Sequence, residues 1–195
     1  MNAQEHSEAP GAPAPGGVGP ASPSRRHWML LGVGLAAAAT GAGLAWWRFS
    51  PRSEDEQALA QFWASRFESP DGTLLEMAAF RGRPLLLNFW ATWCPPCVQE
   101  LPRLNAFHAA HQAQGWQVLG LAIDQLDSVR GFLQRTPLGF PQALPGAAGL
   151  ALVRGLGNPG GGLPFSVLFA PNGRIAERKI GELSDDDLQQ WRTAL

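Results

Sequence analysis

Both cysteines of this 195-residue chain fall in one short stretch, NFWATWCPPCVQELP (residues 88–102), as Cys94 and Cys97 with Pro95 and Pro96 between them. Two thiols at that spacing can cycle between dithiol and disulfide, supply half of a metal site, or form an inert bridge. A structural zinc asks for about four ligands, and the chain holds one Cys-x-x-Cys pair and no second. His108 and His111 share a helix face but have no further ligands near them in sequence, so they read as solvated surface histidines. An inert bridge of an exported domain stays open.

The elements that must position the thiols favour redox chemistry. PLLLNFWA (84–91) is a near-continuous apolar run, as expected of a strand covered on both faces. From Cys94 to about Gln114 the period changes, with Val98, Leu101, Leu104 and Phe107 at helical spacing, and GWQVLGLAID then reads as a second buried strand. Strand, helix, strand implies a parallel pair with a right-handed crossover. The cysteines therefore open a helix, where the dipole and unpaired N–H groups stabilise a thiolate. Cys94 is the expected nucleophile and Cys97, one turn later, the thiol that resolves its mixed disulfide. Pro95 and Pro96 occupy the first turn, where a missing N–H costs little.

Around this centre, EDEQALAQFWASR (54–66) predicts a short helix and SPDG a turn. DSVRGFLQRT and AAGLALVRGLG read as helices, FSVLFA and RIAERKIG as strands joined at Pro171-Asn172-Gly173, and SDDDLQQWRTAL as a capped helix.

LLLNFWATWCPPCVQELPRL (85–104) resembles the active-site region of the thioredoxin fold, in particular that of the membrane-anchored extracytoplasmic thiol-disulfide oxidoreductases of the TlpA/ResA family. FESPDGTLLEMAAFRGRP upstream is similar to that family's N-terminal hairpin, and GLPFSVLFAPNGRI downstream to the segment with its cis-proline. The resemblance spans roughly residues 66–195. It implies an α/β thioredoxin-like fold, a central mixed sheet flanked by helices, with a hairpin extension and one preceding transmembrane helix. It also implies that Trp93 borders the site, that Pro102 kinks its helix, and that Pro164 is a cis-proline facing the cysteines. The backbone of Leu163 would then bind an extended substrate segment. No cofactor is implied beyond the redox-active Cys94–Cys97 disulfide. The implied partners are thiols or disulfides of exported proteins and a membrane electron donor of the DsbD/CcdA type, with cytochrome c maturation or copper-site assembly as the setting.

Glu100 matches a carboxylate that ResA-like proteins hold beside the thiols. Two readings stay open for it: a group that exchanges a proton with Cys97, its pKa raised by partial burial, or a solvated glutamate on the helix face. Asn88 stands where thioredoxins proper bury an aspartate, which puts more weight on Glu100. Leu163 replaces the more usual β-branched residue, and GNPGGGLP is unusually rich in glycine, so the substrate loop departs from the family pattern. Two other readings use the same fold. A Sco-like copper chaperone would want a histidine in the loop before Pro164, and none follows His111. A peroxiredoxin-like peroxidase would want Thr-x-x-Cys, and Thr92 is at the wrong distance.

The N-terminal third has a different composition. Residues 1–27 are mostly Pro, Gly, Ala and Ser with little to bury, and are expected to be a disordered tail. Residues 28–47 carry no charge, and a helix of that length spans ~30 Å, the thickness of a bilayer core. Trp28, Trp46 and Trp47 suit its two interfaces. SRRHWML resembles a degenerate twin-arginine export signal and Gly43-Leu44-Ala45 is a passable cleavage site, but the length of the run favours an uncleaved anchor. Residues 48–65 are then a linker with the short helix. Arg25 and Arg26 before the span and Arg48 and Arg52 after it nearly cancel as a topology signal, while the order of basic segment and apolar run places the domain outside the cytoplasm. The expected location is the inner membrane, single-pass, with a periplasmic or equivalent domain. A net charge of −1 supplies no basic field for nucleic acid.

Overall fold

A computed structural model describes residues 54–195. The expected tail (1–27), the apolar segment (28–47) and residues 48–53 of the linker lie outside the described residues. Among the described residues no helix is long and apolar enough to cross a membrane.

Helix α1 (Glu54–Ala64) leads into a hairpin of β1 (Arg66–Glu68) and β2 (Leu74–Glu76). There follow β3 (Leu85–Trp90), α2 (Pro95–His111), β4 (Gln117–Ala122), α3 (Leu126–Arg135) and β5 (Gln142–Ala143). The chain ends with α4 (Gly149–Gly155), β6 (Phe165–Phe169), β7 (Ile175–Ile180) and α5 (Asp185–Thr193). Five strands form one sheet in the order β5-β4-β3-β6-β7. β3, β4 and β5 run parallel, while β6 is antiparallel to both β3 and β7. This is the mixed sheet that the sequence implied, with β5 as a two-residue edge strand that its composition did not announce.

β3 sits at the centre, so all six of its residues are buried, and the strand's period of two sorts them between two layers. Leu85, Leu87 and Phe89 face Phe62, Trp63, Met77, Val153 and Phe165 beneath α1 and α4. Leu86 and Trp90 face Leu101, Leu104, Phe107, Phe132, Leu188 and Trp191 beneath α2, α3 and α5. Burial of each such side chain contributes roughly 1.5–3 kcal/mol, which makes the sheet a rigid platform for its loops. α1 is fastened by Phe62 stacked on Phe169 at 5.0 Å and by the Trp63 indole N–H donating to the Gly173 carbonyl at 2.8 Å.

Element boundaries shift slightly from the sequence expectation. The first helix stops at Ala64 rather than Arg66, because Ser65 turns the chain into the hairpin: its hydroxyl donates to the Gln61 carbonyl and its own carbonyl accepts the Met77 N–H. The helix from the cysteines ends at His111, and Gln112–Gln114 tighten into a 3₁₀ turn before Gly115, whose φ is +92°. α5 opens on a capping box, Ser184 with Asp187. Asp187 also takes an ion pair from Lys179 of β7, the only lysine in the chain. Burial acts to raise the Asp187 pKa, but the bonds from Lys179 and Ser184 outweigh it and lower the value to about 2.

Candidate active site

β3 delivers the chain to its C-terminal end at Trp90, and the next residues turn back over the sheet. Thr92 donates both its N–H and its hydroxyl to the Asp124 carboxylate at the end of β4, at 2.9 and 2.5 Å. That clamp fixes the turn just ahead of the cysteines. Cys94 is the N-cap of α2 with extended backbone, Pro95 and Pro96 fill the first two helical positions, and Cys97 follows. The two sulfurs are joined in a disulfide with the Cα atoms 5.3 Å apart. Because both prolines lack an N–H, the first turn offers the Cys97 N–H alone to a Cys94 thiolate, beside the helix dipole. The sequence expectation of several free N–H groups is corrected to one.

Cys97 is fully buried and Cys94 is 5% exposed, so the bridge presents only an edge of Cys94 to solvent. Trp93 beside it is 66% exposed, an unusual position for so large an apolar ring. α2 continues through Pro102 without a break.

Glu100 is buried completely, which removes the solvated-face reading. The reason lies in helical spacing: Cys97, Glu100, Leu101, Leu104 and Phe107 are the buried residues of α2 and share one face. The carboxylate accepts the Asn88 amide N–H on Oε1 at 2.7 Å and the Leu183 backbone N–H on Oε2 at 2.8 Å. Burial pushes its pKa from 4.5 up to about 7, against the pull of these two bonds. Asn88 reaches it because β3 alternation turns residue 88 to the α2 layer. Ser166 of β6 is its cross-strand partner and accepts the other Asn88 amide N–H at 2.9 Å. Arg103, one turn beyond Glu100, donates to the Leu183 carbonyl and to Glu182. The Leu183 peptide is thus held on both sides by two residues of α2.

The sequence reading missed this polar layer. A signal existed, since one amide inside an otherwise apolar buried strand must find a partner, and the helical stripe through Cys97 and Leu101 carries residue 100 with it. The roles of Ser166 and of the Leu183 N–H had no signal in composition or spacing.

The Leu163–Pro164 peptide bond is cis. Pro164 is buried and Leu163 half-buried, and Leu163 packs against both layers of the core. The Pro164 carbonyl accepts the Gly181 N–H at 2.8 Å. Among the described residues no hydrogen bond uses the Leu163 N–H or carbonyl. His108 and His111 do not meet the site: His111 pairs with Gln114 at 2.8 Å and the His108 ring lies 6.0 Å from that of Phe140.

Residues 59–178 match the model of the AhpC/TSA family. The chain is 31% identical over 122 residues to the thiol-disulfide oxidoreductase ResA of Bacillus thuringiensis, covering 62% of this chain and 68% of the relative. A ResA of Halalkalibacterium halodurans is 27% identical over 174 residues, covering 86% and 93%. Among solved structures, a thioredoxin-related protein of Neisseria meningitidis serogroup B superposes with a TM-score of 0.60 at 28% identity, covering 67% of this chain and 98% of that one. A disulfide at the head of a helix, on a thioredoxin-like sheet shared with proteins named for thiol-disulfide exchange, makes that exchange the chemistry of this site. The chain belongs to the AhpC/TSA family, as a thioredoxin-like thiol-disulfide oxidoreductase of the ResA type.

Proposed function

We propose that the protein is a membrane-anchored, extracytoplasmic reductase of disulfides in exported proteins. The family resemblance favours the reducing direction, and the observation that carries the exchange chemistry is the buried Glu100 on the same face of α2 as Cys97, one turn away. A carboxyl whose pKa is about 7 can accept and return a proton at working pH.

In the reducing direction the Cys94 thiolate attacks one sulfur of a substrate disulfide. A Cys94–substrate bond forms, the substrate S–S bond breaks, and the released thiolate takes a proton from solvent. Cys97, its proton passed to Glu100, then attacks the Cys94 sulfur. The Cys94–Cys97 bond forms, the second substrate thiolate leaves, and Glu100 returns the proton to it. Two electrons pass from the dithiol to the substrate, and the enzyme is left as the disulfide form described above. A membrane donor of the DsbD/CcdA type restores the dithiol, and apocytochrome c or a copper-site assembly protein is a fitting substrate. Pro164 faces the cysteines in this reading, the free N–H and carbonyl of Leu163 pair with an extended substrate segment, and exposed Trp93 covers its apolar side chains.

Anchoring is supported by the uncharged run at 28–47. The protein should therefore stay with washed membranes, and a reporter fused after Leu195 should be active outside the cytoplasm. Activity only inside would refute the topology. The division of labour is tested by substitution. Cys97→Ser should accumulate mixed disulfides with exported proteins while Cys94→Ser accumulates few, and equal trapping by both would remove the assignment.

A further inference from the structure

The loop that reaches Pro164, GNPGGGLP (157–164), holds four glycines in eight residues. Such a stretch loses more backbone freedom on ordering than any other composition, and left alone it would present Leu163 poorly to a substrate. It is not left alone. Asn158, 2% exposed, spends both ends of its side-chain amide on the loop: Oδ1 accepts the Gly161 N–H at 3.1 Å and Nδ2 donates to the Gly162 carbonyl at 2.7 Å. Its backbone carbonyl accepts the same Gly161 N–H at 2.9 Å. Asn158 is itself fixed from behind, its N–H bonded to the Val153 carbonyl of α4 at 3.1 Å. Two residues earlier the Leu156 carbonyl accepts the Arg178 Nε–H of β7 at 2.7 Å. Gly161 has φ +69°, and a Cβ there would come within 2.5 Å of Leu150, so the braced turn requires glycine at that point.

We propose that Asn158 is the positioning residue of the substrate-binding loop, holding the Gly162 carbonyl so that the next residue, Leu163, presents its unpaired backbone N–H and carbonyl in one fixed orientation to an extended polypeptide. This deepens the proposed function and rests on its assignment of Leu163 as the substrate-binding edge. A small disulfide that needs no backbone pairing does not use the brace. The brace acts by preorganisation, which lowers the ordering cost at binding and leaves the sulfur chemistry alone.

The test compares reduced wild type, Asn158→Ala and Asn158→Asp with two oxidised probes, an internally disulfide-bonded decapeptide and 2-hydroxyethyl disulfide. Asn158→Ala should raise KM for the decapeptide about tenfold, the equivalent of about 1.4 kcal/mol, with kcat and the rate for 2-hydroxyethyl disulfide changed less than twofold. Asn158→Asp keeps the acceptor for Gly161 but faces the Gly162 carbonyl with an oxygen, and should show the same split; it decides the matter if the alanine variant does not fold. Equal losses for both probes, or no loss for the decapeptide, would overturn the proposal. The assignment of Leu163 is checked separately in the Cys97→Ser protein trapped with a cysteine-containing peptide. There the Leu163 amide should exchange with solvent more slowly than in the free protein. Unchanged exchange would defeat that assignment, whereas slowed exchange with unaltered KM in the Asn158 variants would defeat the role of Asn158 alone.

Discussion

Glu100 offers a quantitative check, because a buried carboxyl links folding to pH. Its pKa rises from 4.5 to about 7 on folding, so the folded state binds the proton more tightly than the unfolded chain between those values. Stability from this group is complete below pH 4.5 and is lost as pH rises through 7. Each pH unit between the two pKa values is worth about 1.4 kcal/mol, so the ionised carboxylate costs about 3 kcal/mol above pH 7. Glu100→Gln keeps the shape and cannot ionise. Whatever fixed penalty the new amide incurs against the Asn88 and Leu183 N–H donors is the same at every pH. The useful quantity is the change in the stability difference between variant and wild type, both oxidised, from pH 4 to pH 8. Urea unfolding should show the variant gaining about 3 kcal/mol relative to wild type across that interval. The groups facing Glu100, Arg103 and Glu182, are present in both proteins. Parallel stability curves would refute the raised pKa and with it the proton-exchange role.

Other perturbations test other parts of the account. Asp187→Asn removes the partner of Lys179 and of the Ser184 cap, and should cost about 1 kcal/mol at pH 7; since the Asp187 pKa is lowered, to about 2, the difference from wild type should fade as pH drops from about 4 to 2, read by chemical unfolding. Phe62→Ala empties the stack on Phe169 and should lower stability by roughly 3–5 kcal/mol, measured by urea titration with the thiol reactivity of the reduced protein unchanged. Asn88→Ala takes one donor from Glu100, so the carboxyl should titrate above 7 in a carbon-13 NMR experiment, and an unmoved midpoint would show that the amide does not hold the charge.

Much of this architecture was legible because it rests on short-range signals. The buried run at β3, the change of period at Cys94 and the Pro-Asn-Gly turn between β6 and β7 each follow from local spacing. β5 was not legible, since two residues, Gln142 and Ala143, carry no periodicity and pair only because β4 exposes an edge beside them. At the site, Cys94 and Cys97 were marked by residue type. Glu100 was left between two readings because its sequence position says which way it faces only once the helix register is fixed by Cys97 and Leu101. Its partners are Asn88, itself held by Ser166, and the Leu183 N–H; Ser166 and Leu183 lie more than sixty residues downstream, where only the pairing of β3 with β6 and the loop before α5 bring them in. The glycine-rich loop stood out in the sequence only as a departure from the family pattern, and the bracing by a single buried amide, Asn158, had no signal in composition.

The central claim is that this disulfide centre works as a reductant, and the redox state of Cys94 and Cys97 in living cells tests it most directly. Alkylation trapping after rapid acid quench should find the pair mainly as dithiol while the proposed membrane electron donor is present, and as disulfide once that donor is removed. A pair that stays disulfide with the donor intact, and turns dithiol only when an oxidant is withdrawn, would contradict the account and make the protein an oxidant of exported thiols.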